Sequence, residues 1–241
     1  YVRGQPEDYD RWQQMGNPGW GWDSVLPLFK RSENQERGAD EFHGDQGPLS
    51  VSNMRLQRPI CDAWVAAAQE AGYPFNPDYN GADQEGIGYH WMQQKGGERW
   101  GMESAYANPA KDRPNVEFIT EARVKRILID GKKAVGVEYD RAGETHTERA
   151  RREVILSAGA FNSPQILMLS GIGPGHELIP QGIEVQHELP GVGQNLQDHI
   201  DTWIKQKSIS RLTYAITLPV LHKNIGHVMN WLARRRGAFS S

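Results

Sequence analysis

The chain has 241 residues, a net charge of -3 and charged side chains at 24% of its positions. This balance excludes the strongly basic surface that marks nucleic-acid-binding domains. The length suffices for one large domain or two small ones, and the single cysteine, Cys61, excludes an internal disulfide framework and favours a reducing, cytoplasmic compartment. No apolar run approaches the roughly 20 residues that a membrane-spanning helix needs.

The beginning of the chain alternates turn residues with aromatic side chains. The spacing of Tyr9 and Trp12 predicts a helix over residues 8–15 with one aromatic face. Asp23 or Ser24 is expected to cap a second helix, because their side-chain oxygens accept hydrogen bonds from helix N–H groups. The tryptophans of this region are interpreted as ordinary aromatic packing.

Between residues 32 and 71 the pattern predicts a loop, a strand and a helix. Residues 32–47 are polar and rich in Glu, Asp and Gly, which is typical of a surface loop. Residues 48–52 alternate as a half-buried strand does. Residues 59–71 are predicted to form an amphipathic helix whose buried face carries Ile60, Trp64, Ala67, Ala68 and Ala71. The lone thiol of this Ala-rich helix is interpreted as buried filler rather than a nucleophile.

A loop and a strand are predicted next. Residues 75–88 are dense in turn formers and are predicted to form the loop. Residues 88–94 are predicted to form a strand with His90 and Trp91 on opposite faces. Either side chain could line a substrate cavity, but a strand of an ordinary sheet explains both equally well.

Residues 115–150 carry the clearest β pattern of the chain. Apolar runs over 116–120, 124–129 and 134–139 are separated by short polar connections, which predicts an antiparallel meander. Residues 145–150 are expected to add a fourth strand.

The stretch from residue 153 to residue 174 combines a strand, a turn of small residues and a helix. Val154 to Leu156 is predicted to be a strand buried on both faces. The turn, residues 157–160, contains only Ser, Ala and Gly, and Asn162 or Ser163 is expected to cap the helix that follows. A helix N-terminus beside small residues lets a phosphate or diphosphate contact backbone N–H groups. The alternative is that the small residues only let helix and strand pack closely.

The last part of the chain is predicted to contain short elements and one longer helix. Residues 177–182 are predicted to be helical and residues 183–185 to form a strand that leads into a glycine-rich turn. A strand over 203–209 and a basic amphipathic helix over 218–235 are expected to follow. The arginines 234–236 either complement the helix dipole or support a weak membrane-surface association.

Three blocks of sequence carry a family resemblance over nearly the whole chain. They are residues 157–173 (SAGAFNSPQILMLSGIG), residues 191–199 (GVGQNLQDH) and residues 1–12 (YVRGQPEDYDRW). In this order they resemble the second signature of the glucose-methanol-choline (GMC) family of FAD-dependent oxidoreductases, the family's GVGxNLQDH segment, and the stretch after its first signature. The wording is most similar to the choline dehydrogenases and related bacterial alcohol dehydrogenases of that family.

The resemblance implies an α/β fold with α+β elements. It consists of part of a Rossmann-like FAD-binding domain with an antiparallel meander, and part of a substrate-binding domain with an antiparallel sheet and helices. The implied segments are an FAD-domain lid and connection (1–50), a substrate-domain segment (51–109), the FAD-domain core (110–200) and a truncated substrate-domain segment (201–241). The chain is accordingly expected to be an internal fragment, with the GxGxxG fingerprint before it and the catalytic histidine beyond residue 241.

The resemblance also implies an activity and a set of site residues. The activity is oxidation of a small-molecule alcohol to an aldehyde or ketone by hydride transfer to FAD, with oxygen, a quinone or another carrier as electron acceptor. No catalytic residue is assigned within the chain. The residues implied to bind the cofactor are Val124, through its backbone, and Ser157, Ala158, Gly159, Asn195 and Asp198; His199 is implied to contact the substrate.

Two alternatives come from other functional classes. Eight tryptophans could stack on sugars, and carboxylates such as Asp8, Asp10, Asp23 or Glu103 could serve a glycoside hydrolase. An inert binding remnant is the non-enzymatic alternative. The sequence contains no HExxH, CxxC or clustered His-carboxylate spacing, so no metal is predicted.

Overall fold

The computed structural model describes residues 1–199, 202, 226 and 229–234, and it contains both helices and strands. The chain divides into two compact units. Unit 1 comprises Tyr1–Val116 and Gln206–Ser241, and unit 2 comprises Glu117–Lys205. The mixed fold class predicted from the sequence is confirmed.

Unit 1 is built from short helices and short strands. Its helices are α1 (Pro6–Gln14), α2 (Trp22–Ser32), α3 (Pro59–Glu70) and α4 (Asn108–Ala110), with a π-helix at Glu103–Ala107, and its strands are β1 (Glu33–Gln35), β2 (Leu49–Val51), β3 (Gln94–Lys95) and β4 (Glu98–Arg99). Strands β1 and β2 pair in parallel, and β3 and β4 pair antiparallel.

The two predicted N-terminal helices are confirmed, and aromatic rings join them. The Tyr9 ring lies 5.5 Å from that of Trp12 and 5.7 Å from that of Phe29. The predicted cap of α2 is wrong, because Gly21 occupies the N-cap position and Asp23 lies inside the first turn. There its negative charge still interacts favourably with the positive end of the helix dipole.

The polar stretch predicted as a surface loop contains a buried strand instead. Glu33 and Gln35 of β1 are 0% and 3% exposed, and β1 pairs with the apolar strand β2, which was predicted correctly. The prediction from composition was wrong because polar side chains can be buried when they have specific hydrogen-bond or ion-pair partners, and a hydropathy pattern does not show such partners.

Two further predictions in unit 1 are wrong in detail. Helix α3 forms where expected, but it buries Val65 and leaves Trp64 68% exposed. Residues 88–94 form no continuous strand: Met92 makes one isolated bridge to Ser52, and the regular pairing starts only at Gln94. Trp91 is buried and His90 is exposed.

Unit 2 contains the meander and the helix that follows it. Its strands are β5 (Arg123–Asp130), β6 (Lys133–Arg141), β7 (Glu144–Arg149), β8 (Ile172–Gly173) and β9 (His187–Glu188), and its helices are α5 (Gly159–Leu169), α6 (Gly175–Leu178) and a 3₁₀ turn (Ile179–Gln181). Strands β5, β6 and β7 pair antiparallel in chain order, as predicted. The expected fourth strand is present as β7, but residues 116–120 form no strand.

The hydroxyl of Ser170 connects the meander to α5. The Ile127 backbone N–H of β5 donates a 2.8 Å hydrogen bond to this oxygen, and the same hydroxyl donates to the Ile166 carbonyl. Ile127 and Ile166 are both buried beside this bond. One side chain thus fixes the C-terminal end of α5 against the sheet.

The chain after α5 forms a short parallel pair rather than the predicted strand at 183–185. Strand β8 pairs with β9, so the ladder starts only at His187. The predicted strand over 203–209 lies outside the described residues, and of the helix over 218–235 only Gly226 and residues 229–234 are described, all helical. Among the described residues, every helix is too short or too polar to span a bilayer.

Candidate cofactor site

The strand predicted to lead into the small-residue turn does not form. Residues 153–157 carry no ladder pairing, and Ile155 is 78% exposed. A strand is defined by hydrogen bonds to a neighbour, and the described residues offer this segment none. The prediction of a strand buried on both faces is therefore wrong for this structure.

The turn itself has an open backbone position. Gly159 has a φ of +88°, in the left-handed region that favours glycine, and nothing lies within 4 Å of the place where its Cβ would be. If the small residues served only to let a helix and a strand pack closely, neighbours would surround this position. Among the described residues outside its own helix none does, so a ligand can approach this position.

Helix α5 starts earlier than the sequence pattern indicated. It begins at Gly159, with Ala158 at the N-cap position, and Pro164 lies inside it. Ser163, one of the two predicted caps, instead accepts a 3.0 Å hydrogen bond from the Ala158 backbone N–H through its Oγ. The first N–H groups of any α-helix lack intrahelical carbonyl partners. In α5 the Ala158 N–H is bonded to Ser163, and the N–H groups of Gly159 and Ala160 come next at the open turn.

The other predicted site residues lie on separate parts of unit 2. Val124 is on β5, 36% exposed, where the pairing with β6 changes register. Asn195 has a φ of +56° in the segment after the glycine-rich turn. Asp198 and His199 follow it with fully exposed side chains, and the His199 backbone N–H donates a 2.8 Å hydrogen bond to Asp198 Oδ1.

A cavity of about 680 Å³ lies in unit 2 beside β5, at the C-terminal end of α5. Charges of both signs line it, including Arg126, Arg149 and Glu184. None of the predicted cofactor residues is among its lining residues. This cavity is therefore distinct from the open turn at Gly159.

Unit 1 contains a buried cluster of charged side chains that the sequence analysis missed. Arg3 donates a 2.5 Å hydrogen bond from Nη2 to Glu33 Oε2, and His43 Nδ1 lies 3.0 Å from the same oxygen. His43 Nε2 lies 3.0 Å from Asp78 Oδ2, and Arg3, Glu33 and His43 are each at most 5% exposed. The only available signal was the position of Arg3 within the first motif block, since no sequence pattern marks a buried ion pair between distant segments.

Electrostatic contacts shift the protonation equilibrium of the buried histidine. Burial alone would lower the pKa of His43, but the hydrogen bond and charge of Glu33, with the charges of Asp78 and Asp40, outweigh burial and raise this pKa above its usual value. Asp40, His43 and Asp78 also place one ligand-type atom each within 4.8 Å of the others.

Comparison with known proteins places the chain among flavoenzymes. Residues 1–201 match the family model described as GMC oxidoreductase. Human mitochondrial choline dehydrogenase is 44% identical over 238 residues, which are 98% of this chain and 40% of the human protein. An alcohol dehydrogenase [acceptor] from Pseudomonas putida is 39% identical over 244 residues, covering 100% of this chain and 44% of that protein.

The solved structures agree with this placement. An FAD-dependent oxidoreductase from Chaetomium thermophilum superposes with a TM-score of 0.85 at 30% identity, covering 100% of this chain and 44% of the other. The chain thus spans less than half the length of the relatives that it matches.

Proposed function

The chain belongs to the GMC oxidoreductase family, and on that premise we propose that it is part of an enzyme that oxidises an alcohol to an aldehyde or ketone with FAD. The resemblance seen in the three motif blocks is thereby confirmed at the level of the family. Relatives named as choline dehydrogenases and as an alcohol dehydrogenase support an alcohol as the substrate class. The proposal within this class is choline or a related small alcohol.

The observation that carries the proposal is the open turn at Gly159. A diphosphate needs backbone N–H donors, no Cβ in the way, and a favourable dipole. At the start of α5, Gly159 has no Cβ, and the first N–H groups of the helix lie at the positive end of its dipole. We assign Ser157, Ala158 and Gly159 to the cofactor diphosphate, the Val124 backbone to the adenine, and Asn195 and Asp198 to the isoalloxazine end.

The proposed chemistry divides between cofactor and protein. When bound, FAD supplies the ring that accepts a hydride. The residues of this chain bind and orient: the turn would hold the diphosphate, and His199, whose ring is fully exposed, would contact the substrate hydroxyl. We assign no base for the hydroxyl proton within the chain and propose that a histidine beyond residue 241 fills this role.

The segment assignment is part of the same proposal. Residues 110–200 are proposed as FAD-domain core and residues 51–109 as substrate-domain segment, with 1–50 as lid and connection and 201–241 as a further substrate-domain segment. We also propose a cytoplasmic location and a weak association with membrane surfaces through arginines 234–236. Sedimentation with vesicles that contain or lack anionic lipid tests this association.

The carbohydrate hydrolase left open by the sequence gains no support, since the matching family and the named relatives are oxidoreductases. Two of the carboxylates considered for it have structural partners. Asp8 Oδ2 accepts the Gln5 backbone N–H at the start of α1, and Asp10 Oδ1 accepts the Trp22 backbone N–H at the start of α2. These carboxylates are engaged in holding helix ends.

Anaerobic reduction of the complete protein tests the proposed function. The purified protein should contain FAD, and its visible flavin absorbance should bleach when choline, a primary aliphatic alcohol or a polyol is added, in an order that identifies the substrate. Reoxidation by oxygen compared with a quinone then identifies the electron acceptor. A colourless protein that cleaves saccharides would overturn the proposal.

A further inference from the structure

We propose that His43 is held as an imidazolium between Glu33 and Asp78, and that its deprotonation loosens unit 1 at alkaline pH. The charged cluster of Arg3, Glu33, His43 and Asp78 belongs to unit 1 and shares no residue with the proposed cofactor turn. The proposal therefore stands or falls independently of the proposed function.

The two ring nitrogens provide the geometric argument. Nδ1 lies 3.0 Å from Glu33 Oε2, and Nε2 lies 3.0 Å from Asp78 Oδ2. A neutral imidazole has one N–H and one lone pair, so either tautomer would point a lone pair at a carboxylate oxygen. Only the imidazolium donates to both. Since imidazole is a stronger base than a carboxylate, the shared proton belongs on the ring.

The surrounding charges favour the same state. Three carboxylates face the ring: Glu33 from β1, Asp40 from the following loop, and Asp78 from the loop before Tyr79. Arg3 compensates Glu33 directly, at 2.5 Å. A protonated His43 reduces the excess of these three carboxylates over Arg3, and burial makes such an excess costly.

Two other cations lie near the cluster but are directed elsewhere. Lys30 Nζ donates to the backbone carbonyls of Asp40 and Glu41 at 2.7 and 2.9 Å. The Arg37 guanidinium lies 4.8 Å from the centre of the Trp91 ring and donates to Asn53 Oδ1. The neutral hydroxyl of Tyr79 accepts the Trp91 backbone N–H and adds no charge. The proton on His43 is thus the charge that balances Asp78.

A proton fits the cluster better than a metal ion does. Asp40 Oδ1 already accepts the backbone N–H groups of Phe42 and His43, at 2.8 and 2.7 Å. His43 Nε2 and Asp78 Oδ2 face each other directly with hydrogen-bond geometry. The His43 side chain is 1% exposed, so a hydrated cation would have to lose its water to enter.

Loss of this proton would affect segments far apart in the sequence. Arg3 donates from its backbone N–H to Asn80 Oδ1 at 2.8 Å, and Asn80 donates from its own backbone N–H to Asp78 Oδ1 at 3.0 Å. Arg3 also donates to the Phe42 carbonyl. Deprotonated His43 would direct a lone pair at Glu33 or at Asp78 and thereby weaken the contacts among residues 1–4, 33–43 and 78–80.

The pH dependence has a definite sign. A group whose pKa is higher in the folded state than in the unfolded state stabilises the fold fully below its unfolded value, about 6.5 for histidine. That stability is lost as the pH rises through the folded-state pKa. Between these two values, the opening equilibrium constant of unit 1 should rise by about tenfold per pH unit, which is the effect of one bound proton.

Hydrogen exchange on the complete protein, read by mass spectrometry, tests the proposal. Exchange at the imidazole C2 position should show His43 titrating above the ordinary imidazole range, and Asp78→Asn should lower that titration point. Asp83→Asn is the matched control, since exposed Asp83 belongs to the same loop and its carboxylate accepts the local Glu85 backbone N–H. This control should leave the titration unchanged.

Backbone exchange of residues 1–4, 33–43 and 78–80 supplies the second measurement. The wild type should open increasingly above pH 6.5, after correction for intrinsic exchange, and His43→Gln should remove that dependence. Parallel pH profiles in the wild type and His43→Gln, or a titration of His43 at or below the ordinary range, would overturn the proposal. The proposal would also be overturned if His43 were neutral and added Zn²⁺ slowed this backbone exchange in the wild type but not in Asp40→Asn. If His43→Gln does not fold, the Asp78→Asn titration alone decides.

Discussion

Replacing Gly159 by valine in the complete protein should abolish tight FAD binding with little more damage to the fold than a control substitution causes. Gly159 has a φ of +88°, and Gly143, in the turn between β6 and β7, has a φ of +85°. Apart from the adjoining residues and, for Gly159, the backbone of its own helix, neither has a neighbour within 4 Å of its would-be Cβ. Gly143→Val is therefore matched to Gly159→Val in backbone strain and in available space.

The expected magnitude follows from this match. Placing an L-residue in the left-handed region costs roughly 1–2 kcal/mol, and both variants should show a loss of that order. Only Gly159→Val should also displace the diphosphate from backbone N–H groups. A hydrogen bond to a charged group contributes about 1.5–3 kcal/mol. Loss of two such bonds at the lower value weakens FAD binding by about 3 kcal/mol, or roughly 100-fold.

Flavin stoichiometry and thermal unfolding measured on the same samples separate the two effects. FAD content per protein should fall strongly in Gly159→Val and stay near the wild-type value in Gly143→Val, while apo-protein melting temperatures fall by similar amounts. Normal flavin content in Gly159→Val would refute the assignment of this turn to the diphosphate. Equal flavin loss in both variants would show that backbone strain, rather than contact with the cofactor, causes the effect.

The remaining predictions concern stability. Glu33→Gln should destabilise unit 1 by about 3–5 kcal/mol, because it removes the negative partner of buried Arg3, and denaturant unfolding of the complete protein measures this. Ser170→Ala should cost about 1–3 kcal/mol by leaving the buried Ile127 N–H without an acceptor, and faster amide exchange at Ile127 should accompany the loss. Val65→Ala should lower the free energy of unfolding by about 2 kcal/mol through lost burial, whereas Trp64→Ala on the exposed side of α3 should change it by at most about 0.5 kcal/mol. The reverse order would show that the face predicted from the sequence is the buried one.

The strands and helices that depend on residues close in the sequence could be predicted. The connections at residues 131–132 and 142–143 are so short that the strands on either side of them can only pair antiparallel, and β5, β6 and β7 do so. Helices α1, α2 and α3 likewise form where spacing and turn residues indicated. Their boundaries and buried faces were less predictable, because those depend on partners elsewhere in the chain.

The polar core of unit 1 was not predictable for a related reason. Strand β1 contains Glu33 and Gln35, and polar composition normally indicates a loop. Glu33 can be buried because Arg3 and His43, which come from distant segments, contact its carboxylate. Hydropathy scores each residue alone, whereas the cost of burying a charge is decided by its partner.

The candidate cofactor turn keeps its conformation without a strand before it. Val154 to Leu156 needs a neighbouring strand and does not form one, yet Gly159 still adopts its left-handed conformation and α5 still begins there. Ser163 holds the Ala158 N–H at one end of the helix, and Ser170 ties the other end to β5. The open turn is therefore set by the helix and the meander, and the preceding strand is not required to shape it. It follows that substitutions at Ser163 should disturb FAD binding through the turn, whereas substitutions at the exposed Ile155 should leave the FAD content near the wild-type value.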